Sequence, residues 1–79
     1  MKEKVLIKDD FIKLDSLLKF VGIAESGGIS KTLISQGLVK VNGEIETRRG
    51  KKIYIGDTIE FNGKEYLVNF VLGSKNYED

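Results

Sequence analysis

The feature that most limits what this chain can fold into is a change of hydrophobic period at Gly37. Between Leu14 and Gly37 the apolar residues recur at helical spacing; after it they fall in short alternating runs broken by turn dipeptides. Leu14, Leu17, Leu18 and Val21 form one stripe, with Ser16 and Lys19 opposite, and Gly22 is placed to stop that helix. Phe20 falls off the stripe, so it covers a neighbouring element or lies partly exposed. Ser26 suits the N-cap of a second helix, with Ile29 and Leu33 as its apolar stripe, Lys31 and Ser35 projecting away, and Gly37 as its stop. Two helices this close in sequence are expected to pack as a tight pair.

Strands frame the helices. Val5-Leu6-Ile7 reads as a short strand ended by Lys8-Asp9-Asp10. Val39-Lys40-Val41 precedes Asn42-Gly43, a strong tight-turn signal. A strict two-residue hairpin would set Val41 against Glu44 and Lys40 against Ile45, apolar against charged, so the turn is expected but not that register. Ile53-Tyr54-Ile55 leads into a Gly56-Asp57 turn, then Thr58 to Phe61, Asn62-Gly63, and Lys64 to Phe70. Here a two-residue turn puts Ile59 opposite Tyr66, with Phe61 and Val68 on the same face. Leu17, Leu18, Leu33, Val41, Ile59 and Tyr66 are therefore expected in the core. The pattern is α+β: two short packed helices against a small, mostly antiparallel sheet.

Seventy-nine residues suffice for one domain, 1–79, ending in a polar tail over 73–79 that is expected to fray. The chain has no cysteine and no histidine, which removes disulfides, thiolate metal sites and the usual general base. No cofactor, no metal and no catalytic residue is expected. No apolar run reaches the roughly 18 residues of a membrane span, so a soluble, cytoplasmic, monomeric protein without membrane contact is expected.

Net charge is only +1, but its distribution is uneven. From Lys31 to Lys52 six cations face two anions, while the rest holds seven cations and ten anions. Positive charge gathered in one segment gives the molecule a directional field, although charge runs are often plain solvated surface. Arg48-Arg49-Gly50-Lys51-Lys52 sets four cations around one glycine, whose freedom would let the backbone turn sharply and present them together. Ser26-Gly27-Gly28 opens the second helix, where unpaired N–H groups and the helix dipole can hold a phosphate; an ordinary helix cap would use the same residues. In Gly37-Leu38-Val39-Lys40-Val41-Asn42-Gly43 the glycines and valines are structural, leaving Lys40 and Asn42 as candidates for ligand contact.

Taken together these residues resemble a known family. Lys13-Leu14-Asp15, Gly22, Ser26, Leu33-Ile34, Gly37-x-Val39-x-Val41-Asn42-Gly43-Glu44 and Gly56-Asp57 follow the pattern of the RNA-binding domain named after ribosomal protein S-four. The resemblance spans residues 12 to about 61. The glycine pair and the basic run look most like the small stand-alone bacterial YaaA-like proteins. The resemblance implies an alpha-L fold that binds structured RNA across the helix pair and the following loop, without catalysis. Carried over by position, the RNA face comprises Lys13, Ser26, Gly27, Gly28, Lys31, Lys40, Asn42, Arg48, Arg49, Lys51 and Lys52. Many members carry arginine where this chain has Gly27, which removes one phosphate contact and shifts weight to the basic run. The usual alanine is Ser30, and a common proline is Ile55; neither change alters the expected fold.

Ribosomal RNA is the expected partner, tRNA the runner-up, with contacts to ribosomal proteins alongside. No aromatic pair alternates with basic residues as a stacking platform would, so recognition of backbone shape in folded RNA is expected. An enzyme is disfavoured because Asp15, Asp57, Glu60 and Glu65 look like helix-start, turn and strand-surface residues. A protein-interaction module acting on the ribosome or another RNA–protein complex is the alternative.

Overall fold

Alternation of apolar and polar residues builds a five-stranded sheet, and a computed structural model describes it for residues 2–70. The tail expected to fray at 73–79 lies outside the described residues. In chain order the elements are β1 (Lys2–Ile7), β2 (Phe11–Lys13), α1 (Leu14–Phe20), α2 (Gly27–Ser35), β3 (Val39–Val41), β4 (Glu44–Ile45), β5 (Lys52–Tyr54), β6 (Thr58–Phe61) and β7 (Lys64–Phe70). The main sheet runs β1-β7-β6-β3-β4, and β2 and β5 form a separate antiparallel ribbon. Among the described residues only the β1–β7 pair is parallel, with Val5 opposite Val68. No helix among the described residues is long and apolar enough to cross a membrane.

One face of each strand turns inward. Val5 and Ile7, Val39 and Val41, Ile59, and Tyr66 and Val68 meet Leu14, Leu17, Leu18 and Ile34 from the helices, with Ile53 from the ribbon. The expected facing of Ile59 and Tyr66 is present. Gly22 and Gly37 take the left-handed conformation (φ 84° and 76°) that ends each helix. Phe20 is 61% exposed at the end of α1, off the stripe as its position implies.

Three expectations need correction. The buried stripe of α2 is Ser30 and Ile34; Leu33 is half-buried and Ile29 is 43% exposed. The cause is the contact with α1, where Ser30 is fully buried and its Oγ donates to the Asp15 carbonyl at 2.9 Å. A small side chain that can satisfy a helix carbonyl lets α2 approach on that side, which rotates Ile29 outward.

The first hairpin adopts the register that was not expected, Val41 opposite Glu44 and Lys40 opposite Ile45. Asn42 and Gly43 both have positive φ, 52° and 87°, the combination a type I′ turn needs, and that turn dictates the pairing. The objection to setting apolar against charged applies only where burial must be matched. The two-residue edge strand β4 is exposed at both positions, so the turn decides.

The strand expected at 53–55 is Lys52–Tyr54, and its partner Phe11–Lys13 had no expected counterpart. Three residues directly before a helix are too short for alternation to reveal.

Candidate nucleic-acid interface

The basic run is built into the fold through its main chain. Helix α1 begins at Leu14 behind Lys13, which gives no side-chain cap. Its first N–H groups therefore need other acceptors. Leu14 N–H donates to the Lys51 carbonyl at 2.9 Å and Asp15 N–H to the Arg49 carbonyl at 3.1 Å. The run also closes on itself, Lys51 N–H donating to the Arg48 carbonyl at 3.2 Å. Lys52 then enters β5 directly opposite Lys13. Arg49, Lys51, Lys52 and Lys13 are thus gathered at the start of α1. The bond from Ser30 to Asp15 ties the first half of α2, with Ser26, Gly27, Gly28 and Lys31, to the same end.

Ion pairing separates these cations. Among the described residues the ion pairs are Arg48–Glu46 and Lys64–Glu3, so Lys13, Lys31, Arg49, Lys51 and Lys52 form no ion pair there. Arg48 is held in a fork: its Nε donates to Glu46 Oε2 at 2.8 Å and its Nη2 to Oε1 at 3.2 Å, while its backbone N–H also reaches Oε2. The Arg48 side chain remains 72% exposed but that of Glu46 only 13%. That hydrogen-bonded arginine lowers the Glu46 carboxyl to about 2 and raises the Arg48 side chain above its ordinary value.

The glycines behave differently from one another. Gly50 has no positive φ, and a β-carbon there would meet nothing, so the basic turn does not depend on it. The sharp bend expected from that glycine is supplied by the carbonyl contacts to α1 instead. Nothing in the fold demands glycine at 27 or 28 either; a β-carbon would meet open space at Gly27 and only Ser26 Oγ, at 3.8 Å, at Gly28. Ser26 itself is the cap, accepting from Ile29 N–H at 3.2 Å.

Two candidates stand apart from this cluster. Lys40 lies between buried Val39 and Val41, so its side chain leaves the opposite face of the sheet. Asn42 is engaged within the protein. Its Nδ2 donates to Asp57 Oδ1 at 3.1 Å and its Oδ1 accepts from Thr58 N–H at 2.9 Å, joining the first hairpin turn to the turn before β6. Asp57 completes that joint by accepting from Tyr54 N–H at 2.8 Å.

The ribbon reverses one further expectation. An antiparallel pair puts directly opposed residues on one face, so Phe11, Tyr54, Lys13 and Lys52 all project from one side while Ile12 and Ile53 turn to the core. The rings of Phe11 and Tyr54 are 5.7 Å apart and tilted by 51°, and the Lys52 ammonium lies 5.0 Å from the Phe11 centroid. An aromatic pair among basic residues does exist, assembled from segments about forty residues apart in sequence. Beside it a groove of about 480 Å³ opens between β4 and β5, walled by Tyr54, Arg48, Lys51, Lys52, Glu44 and Glu46 among others.

A helix pair packed beside a small sheet is the arrangement the family resemblance implies, and comparison with known proteins decides the matter. The S4 domain family matches residues 5–69. The chain belongs to the S4 domain family. Among relatives of this S4 domain, RlbA of Bacillus subtilis strain 168, named for ribosome maturation, is 38% identical over 80% of this chain and 89% of its own. YbcJ of Escherichia coli K12, named for RNA binding, is 45% identical over 77% of this chain and 87% of its own. The solution structure of YbcJ, described as revealing an alpha-L motif involved in RNA binding, superimposes with a TM-score of 0.61 over 86% of this chain and 85% of that one. Ribosomal protein S4e of Thermoplasma acidophilum shares the fold at the same TM-score and 25% identity, over 73% of this chain and 31% of its own.

What the residue reading of this S4 domain missed are Glu46, which restrains Arg48, and the aromatic pair. The second had a signal: Phe11-Ile12-Lys13 and Lys52-Ile53-Tyr54 are mirror images. Paired antiparallel, mirror-image triplets set aromatic on aromatic and lysine on lysine.

Proposed function

We propose that this protein binds structured RNA without acting on it chemically, as a bacterial cytoplasmic factor in ribosome assembly or function, with ribosomal RNA its target ahead of tRNA. The observation that carries this reading is the gathering of Lys13, Arg49, Lys51 and Lys52 at the start of α1, none of them in an ion pair among the described residues. Lysines directly opposed across a strand pair repel, and an anion lying across Lys13 and Lys52 would relieve that repulsion. Gly27 and Gly28 support it too. Glycine is a poorer helix former than alanine, and with no demand from the fold for it at the start of α2, close approach of a sugar–phosphate backbone accounts for the pair. The contact surface is Lys13, Ser26, Gly27, Gly28, Lys31, Arg49, Lys51 and Lys52, with Arg48 restrained at its border. The name of RlbA favours the ribosome, and that of YbcJ favours RNA.

Salt titration tests it. Engagement of roughly four to six phosphates gives a slope of about −3 to −5 in log affinity against log salt. Arg49→Ala combined with Lys51→Ala should flatten that slope by about two units and weaken different structured RNAs by similar factors, because phosphate contacts carry little sequence information. Equal slopes for the two proteins would remove the basic turn from the interface. Measuring a ribosomal RNA fragment beside a tRNA ranks the two targets. Contact with a ribosomal protein alongside the RNA is the second reading. It is favoured by Ile45, which is 61% exposed and lies beside Gly37, near the half-exposed Leu38. A partner retained in pull-down after nuclease treatment would support it.

A further inference from the structure

We propose that Tyr54 is a stacking surface for one unpaired nucleobase, with Phe11 supporting its ring and Lys13 and Lys52 holding the flanking phosphates. This rests on the RNA-binding reading above and adds to it a contact that base-paired RNA cannot make. Tyr54 follows a fully buried isoleucine, yet it remains 48% exposed on the outer face of the ribbon. Its hydroxyl has no hydrogen-bond partner among the described residues, so no polar contact fixes the ring there. Phe11 meets it at a tilt of 51° rather than stacked flat upon it, and the ammonium of Lys52 lies over the Phe11 ring. Tyr54 is the more exposed ring of the pair, Phe11 being half-buried.

The surroundings select a nucleotide over an uncharged apolar ligand. Tyr54 forms one wall of the groove between β4 and β5, whose volume falls within the range of about 300–1,000 Å³ typical of small-ligand sites. Lys51 and Lys52 line it, and Lys13 stands directly opposite Lys52. Carboxylates line it too: Glu46 is paired with Arg48, whereas Asp57, held by neutral donors from Asn42 and the Tyr54 amide, and Glu44 keep their charge, so a phosphate is held on the side of Lys13, Lys51 and Lys52. An open aromatic plane between cations is the arrangement that holds unpaired bases, since every base has a π-face and every linkage a charge.

Two RNA duplexes separate this contact from backbone binding, one fully paired and one identical except for a single bulged adenosine. Wild type should prefer the bulged duplex by roughly 5- to 100-fold, the worth of one base–aromatic contact. Tyr54→Ala and Tyr54→Leu should each bring that ratio close to one, the leucine keeping apolar bulk on the strand without a π-face. Tyr54→Phe and Tyr54→Trp should retain it. Because the chain has no tryptophan, the single indole of Tyr54→Trp also reports directly, and stacking should quench its fluorescence on the bulged duplex. Circular dichroism and a thermal melt show that each variant is folded. No preference in wild type, an undiminished preference in folded Tyr54→Leu, or an unquenched indole at saturating RNA would overturn the proposal. Failure of wild type to bind either duplex would overturn the RNA-binding reading as well.

Discussion

Of the four cations around Gly50, Arg48 is the least available to a ligand, because Glu46 holds its guanidinium by two hydrogen bonds. The sign of the pH dependence follows from the depressed carboxyl. The pairing is complete above the ordinary carboxylate range near 4.5 and is lost only as pH falls through about 2. Between pH 5 and 8 Glu46 therefore stays charged and Arg48 stays restrained. Glu46→Gln should release the arginine and delete one anion, tightening RNA binding and steepening the salt slope by about one unit at neutral pH. An unchanged slope would mean that Arg48 never reaches a phosphate. Sequence shows four cations there but not their restraint, since a glutamate two residues away counts the same whether or not it closes a fork. Asn42 is legible in the same partial way. Its turn is plain from Asn-Gly, whereas its bonds to Asp57 and Thr58 depend on a second turn about fifteen residues away.

Elements were readable where a local signal matched the packing. The leucine stripe of α1 and the Ile59–Tyr66 pairing were both visible, the first because 3.6-residue spacing is unambiguous over Leu14 to Val21, the second because burial and turn agree. In α2 hydrophobicity and packing diverge. The buried position 30 is a serine, so a stripe drawn through apolar residues alone lands one position away. Alanine substitution resolves the two faces. Ile34→Ala should lower stability by about 2–5 kcal/mol, Leu33→Ala by clearly less, and Ile29→Ala by about 0.5 kcal/mol or less as a surface change. Urea unfolding of the three variants measures this directly, and a larger loss at Ile29 than at Ile34 would return the stripe to its sequence-based position. The parallel pairing of β1 with β7 left no trace in the sequence, because parallel neighbours share no connecting turn.

At the scale of the whole molecule, that parallel pair joins Val5 to Val68 across almost the full described chain. Closing so long a loop is entropically unfavourable until the intervening hairpins have formed, so β1 should dock after the rate-limiting step. Val5→Ala should then speed unfolding by roughly 5- to 100-fold while refolding stays within about twofold, the pattern of a contact absent from the transition state. Slower refolding with unchanged unfolding, read from a denaturant chevron, would place β1 in the nucleus instead. The junction of the basic turn with α1 has a different consequence. It is made by the carbonyls of Arg49 and Lys51, atoms that every residue type possesses. In the proposed interface, recognition and architecture are thereby uncoupled at this corner: mutation can rewrite the side chains at 48, 49 and 51 while the helix keeps its acceptors. The turn is in effect an interchangeable reading head, suited to randomised libraries that seek new targets on an unaltered scaffold.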